Sequence, residues 1–158
     1  MREPKKGREP QRHEDTKELL NGEALAVSGN FEPLPEETER VARQVVDAAY
    51  KVHTALGPGL LESVYETCLA YELEQQRLKV RRQVVLPITY RELHIDSGLR
   101  LDLLIDNCVV VELKAVEKWL PLFEAQLLTY LKLSGNRLGL LINFNVPRIK
   151  DGIKRLIL

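Results

Sequence analysis

The chain has 158 residues, of which 44% are hydrophobic and 29% are charged, and these proportions predict a globular domain with a buried core. Its 23 basic residues balance its 23 acidic residues, so no overall positive field favours nucleic acid as a partner. No apolar stretch is long enough to cross a membrane and the charged start is unlike a signal peptide. We therefore expect a cytoplasmic protein without membrane contact, in which Cys68 and Cys108 are free thiols.

Two helices are predicted after a polar beginning. Residues 1–35 are mixed in charge and lack sustained periodicity, which indicates a disordered or loosely ordered extension. Apolar residues then recur at helical spacing over residues 36–56, and Gly57-Pro58-Gly59 predicts the end of that helix. A second helical pattern covers residues 60–78. We place one folded domain at residues 36–158.

Strand patterns dominate the rest of the chain. The predicted order is strand, strand, strand, helix and strand, over residues 79–91, 99–105, 109–115, 120–133 and 137–144. Pro87 places the first of these strands at an edge or at a bulge. Residues 92–98 fit a polar turn or a short return strand, and residues 146–158 fit a short helix or an edge strand. The order predicts an α/β or α+β fold with a central mixed sheet.

The hairpin predicted around residues 106–108 carries three ionisable side chains within apolar strands, those of Asp102, Glu112 and Lys114. Glu112 and Lys114 share a face because they lie two residues apart on one strand. A two-residue turn would put Asp102 on the opposite face, whereas a three-residue loop, 106–108, would put it across from Glu112. We predict the three-residue loop, with Asn107 or the cysteine after it in a left-handed bulge conformation.

Two carboxylates and a lysine on one face are typical of a site for a hard divalent cation, Mg²⁺ or Mn²⁺, that hydrolyses phosphodiester bonds. The structural alternative is a buried ion pair of Lys114 with Asp102 or Glu112, although such pairs often stabilise a fold little. Arg100, two residues before Asp102, could contact a phosphate or pair with a carboxylate. For Glu62, helical periodicity alone leaves a place in the site and a place at the exposed start of a helix equally open.

The order of these residues resembles a known superfamily. Asp102, followed ten residues later by Glu112-Leu113-Lys114 and preceded by a helix with Glu62, looks like the core of the PD-(D/E)XK nucleases. The segment Gly59-Leu60-Leu61-Glu62-Ser63-Val64-Tyr65 is similar to the signature of the GxxExxY family, a branch of that superfamily. Three further segments are typical of the family: His53 to Gly59, Glu124 to Tyr130 and Gly139 to Asn145.

The resemblance implies a restriction-endonuclease-like core, a central mixed β-sheet flanked by helices, with the active site where the hairpin splays. It implies catalytic roles for Glu62, Asp102, Glu112, Lys114 and Gln126, with Glu62, Asp102 and Glu112 around the metal. Tyr130, four residues after Gln126 and on the same helix face, would join Arg100 in contacting the substrate strand. From the residues alone, Gln126 could equally be a helix-surface amide and Tyr130 a core aromatic.

Two functions follow as hypotheses. The first is a magnesium-dependent nuclease that hydrolyses DNA through metal-activated water. The alternative is a non-catalytic module that binds nucleic acid or a protein partner and retains the nuclease fold, which the balanced net charge favours somewhat. The apolar positions Leu127, Leu128 and Leu131 could serve the core or a homodimer.

Overall fold

Two helices begin the part of the chain described by this computed structural model, residues 32–158. Helix α1 is Glu36–Leu56, as predicted, and α2 is Glu62–Gln75, shorter than the predicted 60–78. Helix α2 ends early because Arg77 adopts a left-handed conformation, with φ of 62°. None of the helices within residues 32–158 combines the length and apolarity needed to cross a membrane. Residues 1–31 of the predicted extension lie outside the described range.

A five-stranded mixed sheet follows, with the strands in chain order from one edge to the other. Its strands are β1 Val80–Tyr90, β2 Leu93–Ile105, β3 Val109–Lys114, β4 Leu138–Asn143 and β5 Ile153–Ile157. Only β3 and β4 pair in parallel, and helix α3, Pro121–Ser134, makes the crossover that a parallel pair requires. The predicted mixed sheet is thereby confirmed.

Two segments that the sequence left open are resolved by the sheet. Residues 92–98 form a return strand rather than a polar turn, because β2 begins at Leu93. Residues 146–158 contain both predicted alternatives, a short 3₁₀ helix at Ile149–Gly152 and then the edge strand β5.

The helices cover opposite faces of the sheet. Consecutive residues of β3 alternate between two core clusters: Val111 packs with α1 and α2, whereas Val110 packs with Leu127 and Leu131 of α3. A Cβ at Gly139 of β4 would lie 2.9 Å from Leu127, so a glycine there lets α3 sit close to the sheet. Core packing thus accounts for Leu127 and Leu131, and Leu128 is partly buried against the same cluster, whereas a homodimer stays a prediction.

Strand β1 lies at an edge of the sheet and is also irregular, so both consequences expected of Pro87 are present. Leu86 pairs with Leu99 and Ile88 pairs with Ile95, which leaves residues 96–98 of β2 opposite the single Pro87. This irregularity shifts three residues of β2 out of the ladder just before the strand reaches Arg100.

Candidate active site

The hairpin of β2 and β3 is paired only near its loop. The two strands pair over three residues, from Ile105 and Val109 at the loop to Leu103 and Val111. Strand β3 nevertheless continues to Lys114, so the backbones are unpaired beyond Leu103. Buried backbone N–H groups need partners, and at this end of the hairpin side chains can supply them.

The loop of the hairpin sets which side chains face each other. It contains three residues, 106–108, as predicted. Asn107 is left-handed, with φ of 54°, which confirms one of the two predicted positions; Asp106 is left-handed as well, with φ of 47°, which was not predicted. The resulting register places Asp102 across from Glu112, one step beyond the last paired residues.

Asp102 and Glu112 bond to the backbone of each other's strand. The N–H of Asp102 donates to Oε1 of Glu112 at 3.1 Å. The N–H of Leu113 donates to Oδ2 of Asp102 at 2.9 Å. The two carboxylates therefore replace the missing ladder bonds where the strands part, and the backbone fixes their positions.

The buried position of Glu112 makes its negative charge costly. Glu112 is only 6% exposed. Burial is the largest cause that raises the pKa of Glu112 to about 9, and the negative charge of Asp102 is the second. The positive charge of Lys114 acts in the opposite direction and does not offset these effects. Asp102 and Glu112 repel each other when both are ionised, so a cation bound between them would be stabilised by their negative charges.

Lys114 does not neutralise either acid directly. Within residues 32–158, the ion pairs closer than 4.0 Å do not include its ammonium. The ammonium instead lies 4.6 Å from the ring centroid of Phe123 on α3. The buried ion pair that was the structural alternative is therefore not formed, and the charges of this site stay separate.

Helix α2 brings a third carboxylate to the edge of the site. Glu62 is the first residue of α2 and is solvent-exposed. Partial burial, then the charge of Asp102, raises the pKa of Glu62, whereas the charge of Lys114 lowers it. The pKa of Glu62 is thus affected by the charges of Asp102 and Lys114 on the hairpin, although the side chain remains in contact with solvent.

Tyr65, the last residue of the segment Gly59–Tyr65, fixes the chain before Glu62. Its hydroxyl donates to the carbonyl of Gly57 at 2.6 Å and accepts from the N–H of Leu60 at 3.1 Å. Its ring is fully buried and stacks on Phe144, with centroids 4.5 Å apart. The tyrosine is therefore a structural clamp that sets where helix α2, and with it Glu62, begins.

Helix α3 presents two polar side chains to the site. Nε2 of Gln126 donates to the hydroxyl oxygen of Tyr130 at 2.6 Å. Burial and then the charge of Glu112 raise the pKa of Tyr130, and the bond from Gln126 partly opposes this. Both residues are half-buried, and Tyr130 also packs against the core cluster that contains Leu127 and Leu131, as the core-aromatic alternative expects.

All seven predicted site residues line one pocket of about 510 Å³. They are Glu62, Arg100, Asp102, Glu112, Lys114, Gln126 and Tyr130. The same pocket is lined by Val85 and by residues 97–99, which sequence reasoning missed. No sequence signal marks Ser97 and Gly98, because they reach the pocket only through the irregular pairing opposite Pro87.

Phe123 was also missed, although a signal existed. It precedes Gln126 by three residues and Tyr130 by seven, which is the spacing of one helix face. His53, by contrast, is buried, and its Nε2 donates to the carbonyl of Val146 at 2.8 Å. That histidine therefore packs against the core and holds the chain after β4.

The donor set fits a divalent cation with few protein ligands. Within residues 32–158 no group of three His, Cys, Asp or Glu side chains is arranged to hold a metal ion, so Glu62 does not complete a three-carboxylate cage. Magnesium usually binds one or two carboxylates and takes its other ligands from water and substrate. Asp102 and Glu112 suffice for that kind of site, and a cation would relieve the repulsion between them.

Comparison with known proteins agrees with this geometry. Neither a curated protein nor a solved structure matches the chain. The model of the PD-(D/E)XK nuclease superfamily matches residues 39–156, which are 118 of the 158 residues. The match contains both strands of the splayed hairpin and helices α2 and α3. The chain therefore belongs to the PD-(D/E)XK nuclease superfamily.

Proposed function

We propose that this protein is a divalent-metal-dependent nuclease, a member of the GxxExxY branch, that hydrolyses phosphodiester bonds of DNA with a domain at residues 36–158. Its superfamily indicates a nuclease-type function on nucleic acid. The observation that carries the proposal is the open hairpin end, where backbone N–H groups hold Asp102 and Glu112 while Lys114 stays unpaired with either. A structural ion pair would have brought the three charges into contact.

The roles follow from position. Asp102 and Glu112 would hold Mg²⁺ or Mn²⁺, and a cation bound there would polarise the phosphate and lower the pKa of a coordinated water. Lys114 would orient the attacking water and stabilise negative charge that develops on the phosphoryl oxygens. The water would lose a proton to the surrounding solvent as its oxygen bonds to phosphorus, the bond to the leaving sugar oxygen would break, and that oxygen would take up a proton from solvent.

The other pocket residues would act on the substrate strand. Arg100 is exposed and lines the pocket, so its guanidinium can pair with a phosphate. Gln126 and Tyr130 line the same pocket from helix α3 and would contact the sugar or the base. Glu62, solvent-exposed at the pocket, would act through water as an acid outside the metal's direct ligands.

The GxxExxY assignment is supported by what its signature residues do in the fold. Tyr65 clamps the loop from Gly57 to Leu60, and the helix that begins after this loop places Glu62 at the pocket. The two signature side chains thus have separate tasks, one structural and one in the proposed site.

The test is cleavage of single-stranded DNA, double-stranded DNA and RNA with magnesium, with manganese and with a chelator. We expect metal-dependent cleavage of DNA that falls by about 100-fold or more in Lys114→Met. Lys118→Met is the matched control, because Lys118 is exposed and lies outside the pocket. Equal, metal-independent background from all three proteins would contradict the proposal.

A double variant of the two acids, compared with wild type, tests the alternative function. Salt-dependent DNA binding without cleavage, unchanged in Asp102→Ala/Glu112→Ala, would support a binding module that has the fold but no turnover. The observation that supports this alternative is the balanced net charge of the chain.

A further inference from the structure

Lys114 is held by an aromatic ring rather than by an acid. Its Nζ lies 4.6 Å from the ring centroid of Phe123, within the range of a cation–π interaction. A carboxylate partner would neutralise the ammonium and consume an oxygen needed by a cation. The face of an aromatic ring attracts the charge without taking a hydrogen bond, so the N–H donors of Lys114 remain available.

The ring of Phe123 is itself fixed by a neighbour. Trp119 meets it edge to face, with centroids 6.0 Å apart and planes at 81°. Nε1 of Trp119 donates to Glu124 at 3.0 Å. Lys154 of β5 forms an ion pair with the same carboxylate, and its ammonium lies 4.6 Å from the Trp119 ring centroid. Trp119 is therefore held by contacts with Glu124 and Lys154 as well as with Phe123.

We propose that Phe123 is a positioning residue for Lys114, with Trp119 holding the ring in the orientation that the ammonium needs. The inference rests on the proposed function, since it assigns to Phe123 the placement of the proposed catalytic lysine. Gln126 does not do this in the structure: among residues 32–158 it makes no hydrogen bond to Lys114, and the bond its side chain does make runs from Nε2 to Tyr130. Phe123 therefore holds the lysine in the pocket while leaving the two acids free for a cation.

A kinetic experiment separates positioning from packing. Phe123→Leu retains an apolar side chain but removes the ring face, so we expect kcat to fall about ten-fold while KM changes less than about two-fold. Phe123→Tyr, which restores the ring, should return kcat to within about three-fold of wild type. Leu122→Ala is the matched control, because Leu122 is 68% exposed on the same helix and lies outside the lysine pocket.

A double-mutant comparison shows whether the effect passes through the lysine. In a Lys114→Met background, Phe123→Leu should reduce cleavage no further. Trp119→Leu leaves Phe123 in place and should give a smaller fall than Phe123→Leu, and it serves as the second variant if Phe123→Leu does not fold. Full activity of Phe123→Leu, or an equal further loss in the Lys114→Met background, would overturn the inference.

A measurement independent of turnover keeps the two proposals apart. In NMR spectra of the metal-free protein, the ε-methylene protons of Lys114 should be shifted upfield by the ring current of Phe123. The shift should disappear in Phe123→Leu and remain in Phe123→Tyr. An inactive wild type with this shift would contradict the nuclease function alone, whereas an active wild type without it would contradict the positioning of Lys114.

Discussion

Asp102 and Glu112 hold each other in place across the open end of the hairpin. The N–H of Asp102 donates to the Glu112 carboxylate at 3.1 Å, and the N–H next to Glu112, that of Leu113, donates to the Asp102 carboxylate at 2.9 Å. Each acid thus occupies a position that a backbone group would fill in a continuous ladder. The arrangement orients both acids without a flexible partner, but it buries negative charge.

The first prediction concerns the stability cost of that charge. We expect Glu112→Gln to raise the free energy of unfolding of the metal-free protein by roughly 1–3 kcal/mol at pH 8. The amide can still accept the bond from Asp102, and it carries no charge that must be desolvated. Chemical denaturation in the presence of a chelator measures the difference, with the exposed Glu117→Gln as control.

The gain from Glu112→Gln should depend on pH in one direction. The pKa of Glu112 is raised from 4.5 to about 9 on folding by burial and by Asp102. The stability that the protonated side chain contributes is complete below pH 4.5 and is lost as the pH rises through about 9. The advantage of the glutamine should therefore be small at pH 5 and grow toward pH 9. A gain that is constant with pH would contradict this account.

The second prediction separates a direct metal ligand from an acid that acts through water. Asp102→Asn should weaken manganese binding by more than about 100-fold, whereas Glu62→Gln should weaken it by about ten-fold or less. The reason is that Glu62 is exposed and forms no three-acid group with Asp102 and Glu112 among the described residues. Isothermal titration with manganese gives both affinities. Equal losses of manganese affinity in the two variants would indicate that Glu62 is a direct ligand and would contradict the prediction.

The third prediction tests the clamp at the start of α2. Tyr65→Phe leaves the carbonyl of Gly57 and the N–H of Leu60 without their partner, so it should cost about 1–3 kcal/mol of stability. Tyr71→Phe is the control, because that hydroxyl group belongs to a largely exposed side chain on the same helix. Thermal and chemical unfolding measure the cost, and equal stability of the two variants would show that the clamp contributes nothing.

Local rules were enough to predict much of the fold. Helix α1 ends just before Gly57, and α3 ends just before Gly135, which adopts the left-handed conformation that glycine favours after a helix. The three-residue loop at 106–108 was predicted because only that register puts Asp102 across from Glu112. The helix ends were predictable from the glycines that follow them, and the loop length was predictable because Asp102 and Glu112 had to lie on one face of the hairpin.

Features that depend on distant packing were not predicted. Ser97 and Gly98 reach the pocket through the mismatch of residues 96–98 with Pro87, and alternation alone does not reveal such a mismatch. The contact of Phe123 with Lys114 depends on how closely α3 approaches the sheet, which Gly139 permits from the neighbouring strand. Helix spacing would put Phe123 on the face of Gln126 and Tyr130, but it could not show that the ring touches the lysine.

The central claim is that Asp102 and Glu112 together hold the cation that phosphodiester hydrolysis requires. Crystals soaked in manganese test it most directly, through anomalous diffraction at the manganese absorption edge. The account predicts one strong peak within coordination distance of both carboxylates, absent from Glu112→Gln crystals treated in the same way. No peak at the hairpin at saturating manganese, or a peak bound only by other residues, would contradict it.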